Sequence, residues 1–233
     1  MQAAEASSLV EFENVGATDA TGFVAVDHTS KLIVLSFRGS KSLGNWLGNL
    51  NIAMTPWNVC SGCSVHAGFL DSWTGVKANI GQVIASAVQN WPNYSFVITG
   101  HSLGAAIATI AAGDLRSQGY QLSLYTYGSP MVGNLAFANF VTGQGNNFRV
   151  THNQDIIPKL PGYILGYTHV SSEYWIPTKS GVAVSAGSIK VSSGPINFSG
   201  NCGTWGSSIP DHSWYFNNIL ACGPAIDFTS IPG

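Results

Sequence analysis

The stretch from Phe96 to Ser117 constrains this chain more than any other. It begins with an apolar run, Phe96-Val97-Ile98-Thr99, passes through Gly100-His101-Ser102-Leu103-Gly104, and continues in small apolar residues as far as Ser117, just before Gly119. β-Branched and aromatic residues bounded by turn formers predict a buried strand over 94–99. The run from Gly104 to about Ser117 predicts a helix that Gly119 stops. A strand that bends directly into a helix leaves space only for small residues around its serine, and Gly100 and Gly104 supply them. The bend lifts the Ser102 hydroxyl above the sheet and aims a helix N-terminus at any negative charge that develops there, with the Leu103 amide as a donor. A bare G-x-S-x-G is an ordinary glycine-rich turn. Flanked by strand and helix, it marks Ser102 as a nucleophile.

The rest of the chain is consistent with that reading. Gly22 to Val26 and Lys31 to Phe37 read as a hairpin joined by the polar turn Asp27-His28-Thr29-Ser30. Phe69 to Trp91 has helical spacing, with Ile80, Val83, Ile84, Ala87 and Val88 as apolar positions, and Pro92-Asn93 ends it. Leu122 to Tyr127 predicts a strand closed by Gly128-Ser129-Pro130, Asn134 to Val141 a short helix, and Phe148 to Thr151 another strand. Strands alternating with helices imply a largely parallel sheet, which the initial hairpin makes mixed. Val182 to Cys202 is rich in Gly and Ser with short apolar alternations. Asp211 to Leu220 is expected to form a final helix, and 223–233 a loose tail. No repeat and no long linker divides the 233 residues, which are expected to form a single domain.

Composition narrows the function class. Hydrophobic residues make up 45% of the chain, enough for a core, while charged residues are only 9% against about 25% in an average soluble protein. Such a surface is wetted by Ser, Asn, Thr and Gly and suits an extracellular protein. A formal net charge of −2 gives no basic field, so no nucleic-acid partner is expected. No apolar run approaches the roughly 18 residues of a membrane span. Met1 to Glu5 has neither the basic region nor the apolar stretch of a signal peptide, so either a leader has been removed or the sequence is a fragment. Cys60-Ser61-Gly62-Cys63 has spacing compatible with zinc, redox chemistry or a disulfide loop. The remaining pair, Cys202 and Cys222, is spaced too widely to complete a zinc site, so structural disulfides are expected and no metal. Asn93-Tyr94-Ser95 and Asn197-Phe198-Ser199 are N-glycosylation acceptors by pattern, although such triplets are common by chance.

A serine needs a base, and the base needs an orienting acid, in the chain order serine, acid, histidine. The acids after Ser102 are Asp114, Asp155, Glu173, Asp211 and Asp227. Asp114 lies on the helix after the bend and faces away, and Asp227 is in the tail. Asp155 stands in a loop at the carboxyl end of a strand, where the sites of open α/β sheets gather, and is the choice over a mere turn-capping aspartate. Of the later histidines, His152 is expected to shape the Asp155 loop and His169 to be structural. His212 opens the last predicted helix, with Asp211 as its cap, and is the expected base. His101 is expected to be buried against the sheet, His66 to be structural and His28 solvated.

After Phe37-Arg38-Gly39-Ser40, the residues Leu43, Trp46, Leu47 and Leu50 fall at i, i+3, i+4 and i+7 and make one apolar stripe on a short helix. Its other positions are Asn and Gly, which suit a core helix poorly and an opening surface helix better. With these two features, Cys60-Ser61-Gly62-Cys63, His66-Ala67-Gly68-Phe69, Gly100 to Gly104, Tyr127-Gly128-Ser129-Pro130, His152 to Pro158 and Glu173-Tyr174-Trp175 occur in order. The set resembles the secreted fungal class 3 lipases, of the Thermomyces and Rhizomucor lipase type, from about Gly22 to Cys222.

The resemblance implies an α/β-hydrolase fold, with a predominantly parallel mixed sheet, helices on both faces and a short amphipathic lid at 42–52. It implies a triad of Ser102, Asp155 and His212, an oxyanion hole from Ser40 (hydroxyl and amide) and the Leu103 amide, and no cofactor. The implied activity is a secreted triacylglycerol lipase that meets acylglycerols at a lipid–water interface. Phospholipase A1, mono- or diacylglycerol lipase, feruloyl-type esterase and a non-catalytic lipid binder are the alternatives. Relatives carry an N-terminal helix and strand before the segment near Phe12, and this chain is expected to lack both. The last cysteine of relatives bonds into that part, so Cys222 is expected either to pair with Cys202 or to stay free.

Overall fold

Ala6–Val15 forms a first strand, β1, paired antiparallel with β2 (Ala20–Asp27). The segment around Phe12 thus adds a strand ahead of the hairpin. The computed structural model describes residues 6–16, 18–40 and 51–222, without the side chains of Leu220 and Cys222. The lid residues Leu43, Trp46, Leu47 and Leu50, and the tail 223–233, lie outside the described residues. β2 turns into β3 (Leu32–Phe37) as the expected hairpin, over Asp27, whose carboxylate accepts from the Thr29 and Ser30 amides at 2.9 and 3.0 Å.

Two three-residue strands follow, β4 (Met54–Pro56) and β5 (Ser64–His66), antiparallel and enclosing the Cys60–Cys63 disulfide. Helix α1 (Ala67–Asn90) starts two residues earlier than its apolar pattern, because His66 Nδ1 accepts from the Phe69 amide and caps it. Phe69, Trp73, Val76, Ile80, Ile84 and Ala87 form its buried stripe. Then come β6 (Ser95–His101), helix α2 (Leu103–Ser117), β7 (Leu122–Tyr127), helix α3 (Leu135–Gly143), β8 (Asn147–His152), β9 (Glu173–Ile176) and β10 (Lys190–Ser192). The eight-stranded sheet runs β1-β2-β3-β6-β7-β8-β9-β10, parallel from β3 to β9 and antiparallel at both edges.

α2 is buried along almost its whole circumference, which its Ala and Gly content allows. It packs on β6 and β7 and touches both α1 and α3, so these three helices share one face of the sheet. On the opposite face Val150, Ile176 and Tyr215 form a second apolar cluster with Tyr127, Tyr174, Val184, Ile189 and Ile219. Among the described residues, helical cover there consists of single 3-10 turns, Ala186–Ser188 and Ile219–Cys222 among them.

The expected final helix over Asp211 to Leu220 does not form. Pro210–Ser213 is one 3-10 turn, β11 (Trp214–Tyr215) and β12 (Asn217–Asn218) make a minimal hairpin, and a second 3-10 turn follows. Phe216 sits between the strands at φ 61°, a conformation no α-helix contains. Two tertiary demands override helix formation here. The Tyr215 ring is buried, and its hydroxyl is bonded to Asp155.

Candidate active site

Strand register brings the carboxyl ends of β6 and β7 level: His101 lies opposite Tyr127, and Tyr127 in turn opposite Val150 of β8. The Ser102 amide donates to the Tyr127 carbonyl at 2.9 Å, which stitches the bend to the next strand. Ser102 has φ 56° and ψ −126°, a strained conformation for a residue with a Cβ. The glycines explain how the bend closes. A Cβ on Gly104 would collide with the Phe37 and Arg38 carbonyls, and one on Gly100 with the Gly104 carbonyl. A Cβ on Gly39 would come within 3.3 Å of Ser102 Cβ, so the backbone just before Ser40 lies against the serine. Ser40 is partly buried there, and Leu103 opens α2 directly after Ser102.

Asp155 is fully buried, and three donors hold its carboxylate. The Ile157 amide donates to Oδ1 at 2.9 Å, and His212 Nδ1 lies 2.8 Å from Oδ2. The Tyr215 hydroxyl donates to that same Oδ2. Burial first, and then the Asp155 charge, push the Tyr215 phenol well above its ordinary range, so it stays protonated and remains a donor. An acceptor at His212 Nδ1 fixes the proton on that nitrogen and leaves Nε2 with its lone pair. Ser102 Oγ and His212 Nε2 are both buried, and neither bonds to another described protein group. They are among the buried polar side-chain atoms left without a partner among the described residues.

Three residues that the sequence reading assigned elsewhere complete the geometry. Gly128, read as a strand terminator, lies against the imidazole: a Cβ there would stand 2.8 Å from His212 Cε1 and 2.9 Å from the Tyr215 hydroxyl. Its place directly after a sheet-end tyrosine was the available signal. His101 is not merely packed against the sheet. Its Nε2 lies 2.8 Å from the His212 carbonyl, and its ring lies 4.4 Å from the His212 ring. Burial, and then the neighbouring His212, hold its pKa well below the ordinary histidine value, so it is neutral and donates from Nε2. Tyr215 had no sequence signal, since its partner lies 60 positions away.

The other candidates fall into supporting places. Asp211 does not cap a helix. Its carboxylate accepts from Asn153 Nδ2 (2.9 Å), the Gln154 amide (3.2 Å) and the Ser180 hydroxyl (3.0 Å), tying the His212 turn to the Asp155 loop. His152 shapes that loop as expected, with its ring nitrogens 2.9 Å from the Asp211 carbonyl and 2.8 Å from that of Thr178. His169 is buried on the Pro158 carbonyl at 2.6 Å. Asp114 accepts from Trp73 Nε1 and pairs with Lys77, and Glu173 accepts from Thr151 and faces Arg149. Asp227 lies outside the described residues.

Cys60 and Cys63 are bonded as expected, and Cys202 is a free thiol, one of the two outcomes left open for it. It sits on a 3-10 turn with Sγ directed at the Pro158 carbonyl, and burial raises its pKa above the ordinary thiol value. Among the described residues no three His, Cys, Asp or Glu side chains are grouped to hold a metal, and no helix is long and apolar enough to cross a membrane.

The family model for "Lipase (class 3)" matches residues 34–164. The secreted mono- and diacylglycerol lipase A of Penicillium cyclopium is 44% identical over 236 residues, covering 99% of this chain and 77% of that protein. The lipase of Rhizomucor miehei is 40% identical over 168 residues, 70% of this chain and 46% of its own length. Among solved structures, the mono- and diacylglycerol lipase from Aspergillus oryzae aligns with a TM-score of 0.90 at 41% identity, covering 94% of this chain and 84% of that one.

Proposed function

The chain belongs to the class 3 lipase family, and from that premise we propose that it is a secreted enzyme hydrolysing the carboxylic esters of acylglycerols through Ser102, His212 and Asp155. The observation that carries the reading is the 2.8 Å contact from His212 Nδ1 to the buried Asp155 carboxylate, with a strained serine at the same end of the sheet whose buried hydroxyl has no partner among the described residues. His212 Nε2 takes the Ser102 proton as Oγ attacks the ester carbonyl. Asp155 holds the productive tautomer and stabilises the imidazolium. The Leu103 amide, with the Ser40 amide and hydroxyl, receives the tetrahedral oxyanion, each donor contributing roughly 3 kcal/mol. His212 then protonates the leaving glycerol oxygen. Water, activated by the same imidazole, releases the fatty acid from the acyl-enzyme. The disulfide Cys60–Cys63 fits an oxidising compartment.

Ser102→Ala tests the mechanism. The variant should fold normally, lose hydrolysis of an emulsified triacylglycerol by at least about 10³-fold, and escape labelling by a serine-reactive phosphonate. Hydrolysis that persists at the original rate overturns the assignment. A second reading, preference for mono- and diacylglycerols, is favoured because relatives at 44–45% identity are named for those substrates. Initial rates on mono-, di- and triacylglycerol and on phospholipid emulsions separate the two readings and the phospholipase alternative.

A further inference from the structure

The sequence holds two Asn-x-Ser acceptors, and the fold treats them in opposite ways. Asn93 occupies the third position of a β-turn closed by the Tyr94 amide on the Trp91 carbonyl at 3.0 Å, with Pro92 second. Pro92, Asn93 and Ser95 are exposed. Asn197 is different. Its Oδ1 accepts from the Ser199 amide at 2.7 Å, and its Nδ2, the atom a glycan would occupy, is buried. A sugar on Nδ2 of Asn197 requires that side chain to give up its bond to the Ser199 amide and turn outward, whereas one on Asn93 projects into solvent.

We propose that Asn93 is an N-glycosylation site of this protein and that Asn197 is not. The inference rests on the proposed passage through a secretory pathway. The amide Nδ2 of Asn93 attacks the anomeric carbon of a lipid-diphosphate-linked oligosaccharide. The new N–C bond forms as the carbon–oxygen bond to phosphate breaks, the lipid diphosphate leaves with the electron pair, and the amide proton passes to the transferase. Position gives the site its meaning. Asn93 precedes the first residue of β6, whereas Ser102 follows the last. Seven strand residues at about 3.3 Å each put roughly 20 Å of sheet between them. A glycan at Asn93 therefore leaves the mouth of the candidate active site open, while one at Asn197 would stand on the segment packed around Tyr163, after the Asp155 loop.

The test directs the full chain into the secretory pathway of a fungal host with that host's own leader, so its outcome does not depend on where the protein naturally resides. Glycosidase release in heavy-oxygen water tags every glycan-bearing Asn, and peptide mass spectrometry reads the tags. The Asn93 peptide should be tagged and the Asn197 peptide untagged. Asn93→Gln and, independently, Ser95→Ala should reduce the secreted protein to a single unmodified mass, and Asn197→Gln should leave the glycan in place. Removing the glycan should change ester hydrolysis by no more than about twofold, as for other changes at an exposed surface. An untagged Asn93 in secreted protein, or a tagged Asn197, overturns the inference and leaves the hydrolase reading untouched. An inactive but correctly glycosylated protein does the reverse.

Discussion

The two halves of the candidate site are held by opposite means. The Ser102 half is regular structure. A strand end and a helix start fix the serine through backbone pairing and through the absence of side chains at Gly100 and Gly104. The His212 half is a 3-10 turn and a two-residue hairpin with almost no repeating backbone pairing. There, side-chain hydrogen bonds do the positioning: Asp155 to His212 and Tyr215, His101 to the His212 carbonyl, and Asp211 to the Asp155 loop. A local motif can be stiff because hard-sphere contact between bonded neighbours leaves it few alternatives. A segment assembled by long-range contacts is stiff only once every partner is in place.

Glycine substitutions sharpen that contrast most. Gly104→Ala drives a Cβ into two backbone carbonyls that cannot move without parting β3 from α2. It should cost about 3 kcal/mol or more of stability and appear as a clear fall in Tm. Gly128→Ala brings its Cβ first against the His212 and Tyr215 side chains and adds the modest backbone strain of φ 58°. It should displace the imidazole and lower kcat/KM about 100-fold while lowering Tm far less. Equal loss of stability in the two variants would break the distinction. Tyr215→Phe removes one donor of three from a buried carboxylate, so about a tenfold loss in kcat is expected, with about 1 kcal/mol of stability. A crystal structure of that variant should show His212 still within reach of Asp155.

The smallest effect concerns pH. His169 belongs to the irregular half through its bond to the Pro158 carbonyl, and burial, followed by the Arg149 charge, lowers its pKa well below the ordinary value of 6.5. The native state refuses a proton that the unfolded chain accepts below that value. Stability therefore falls as the pH drops beneath 6.5, with a slope of up to about 1.4 kcal/mol per pH unit from this one group. Urea unfolding on either side of that value should show it, and His169→Gln should flatten the slope.

Legibility in the sequence followed the same division. The hairpin β2–β3, the helices and the strands from β6 to β8 were readable within a few residues, because their apolar periodicity reports burial directly. Chain order singled out Asp155 and His212, and the structure places those two side chains in contact. The C-terminal segment was misread as a helix. Its residues carry no periodic conflict with one, and the deciding contacts, Tyr215 to Asp155 above all, span about 60 positions. The free thiol of Cys202 was equally hidden, since spacing says nothing of where a sulfur points.

By itself, then, the sequence determined that a serine must stand on a sharp strand-to-helix bend, because only glycine permits the backbone to close there. It also limited the downstream choice to five acids and three histidines, from which chain order and loop position favoured Asp155 and His212. Only the tertiary structure decided that His101, Gly128 and Tyr215 surround that histidine, and that of two Asn-x-Ser patterns one has an exposed asparagine and the other an asparagine whose Nδ2 is buried. Those outcomes depend on atoms far apart along the chain meeting at contact distance, and no local propensity encodes such a meeting.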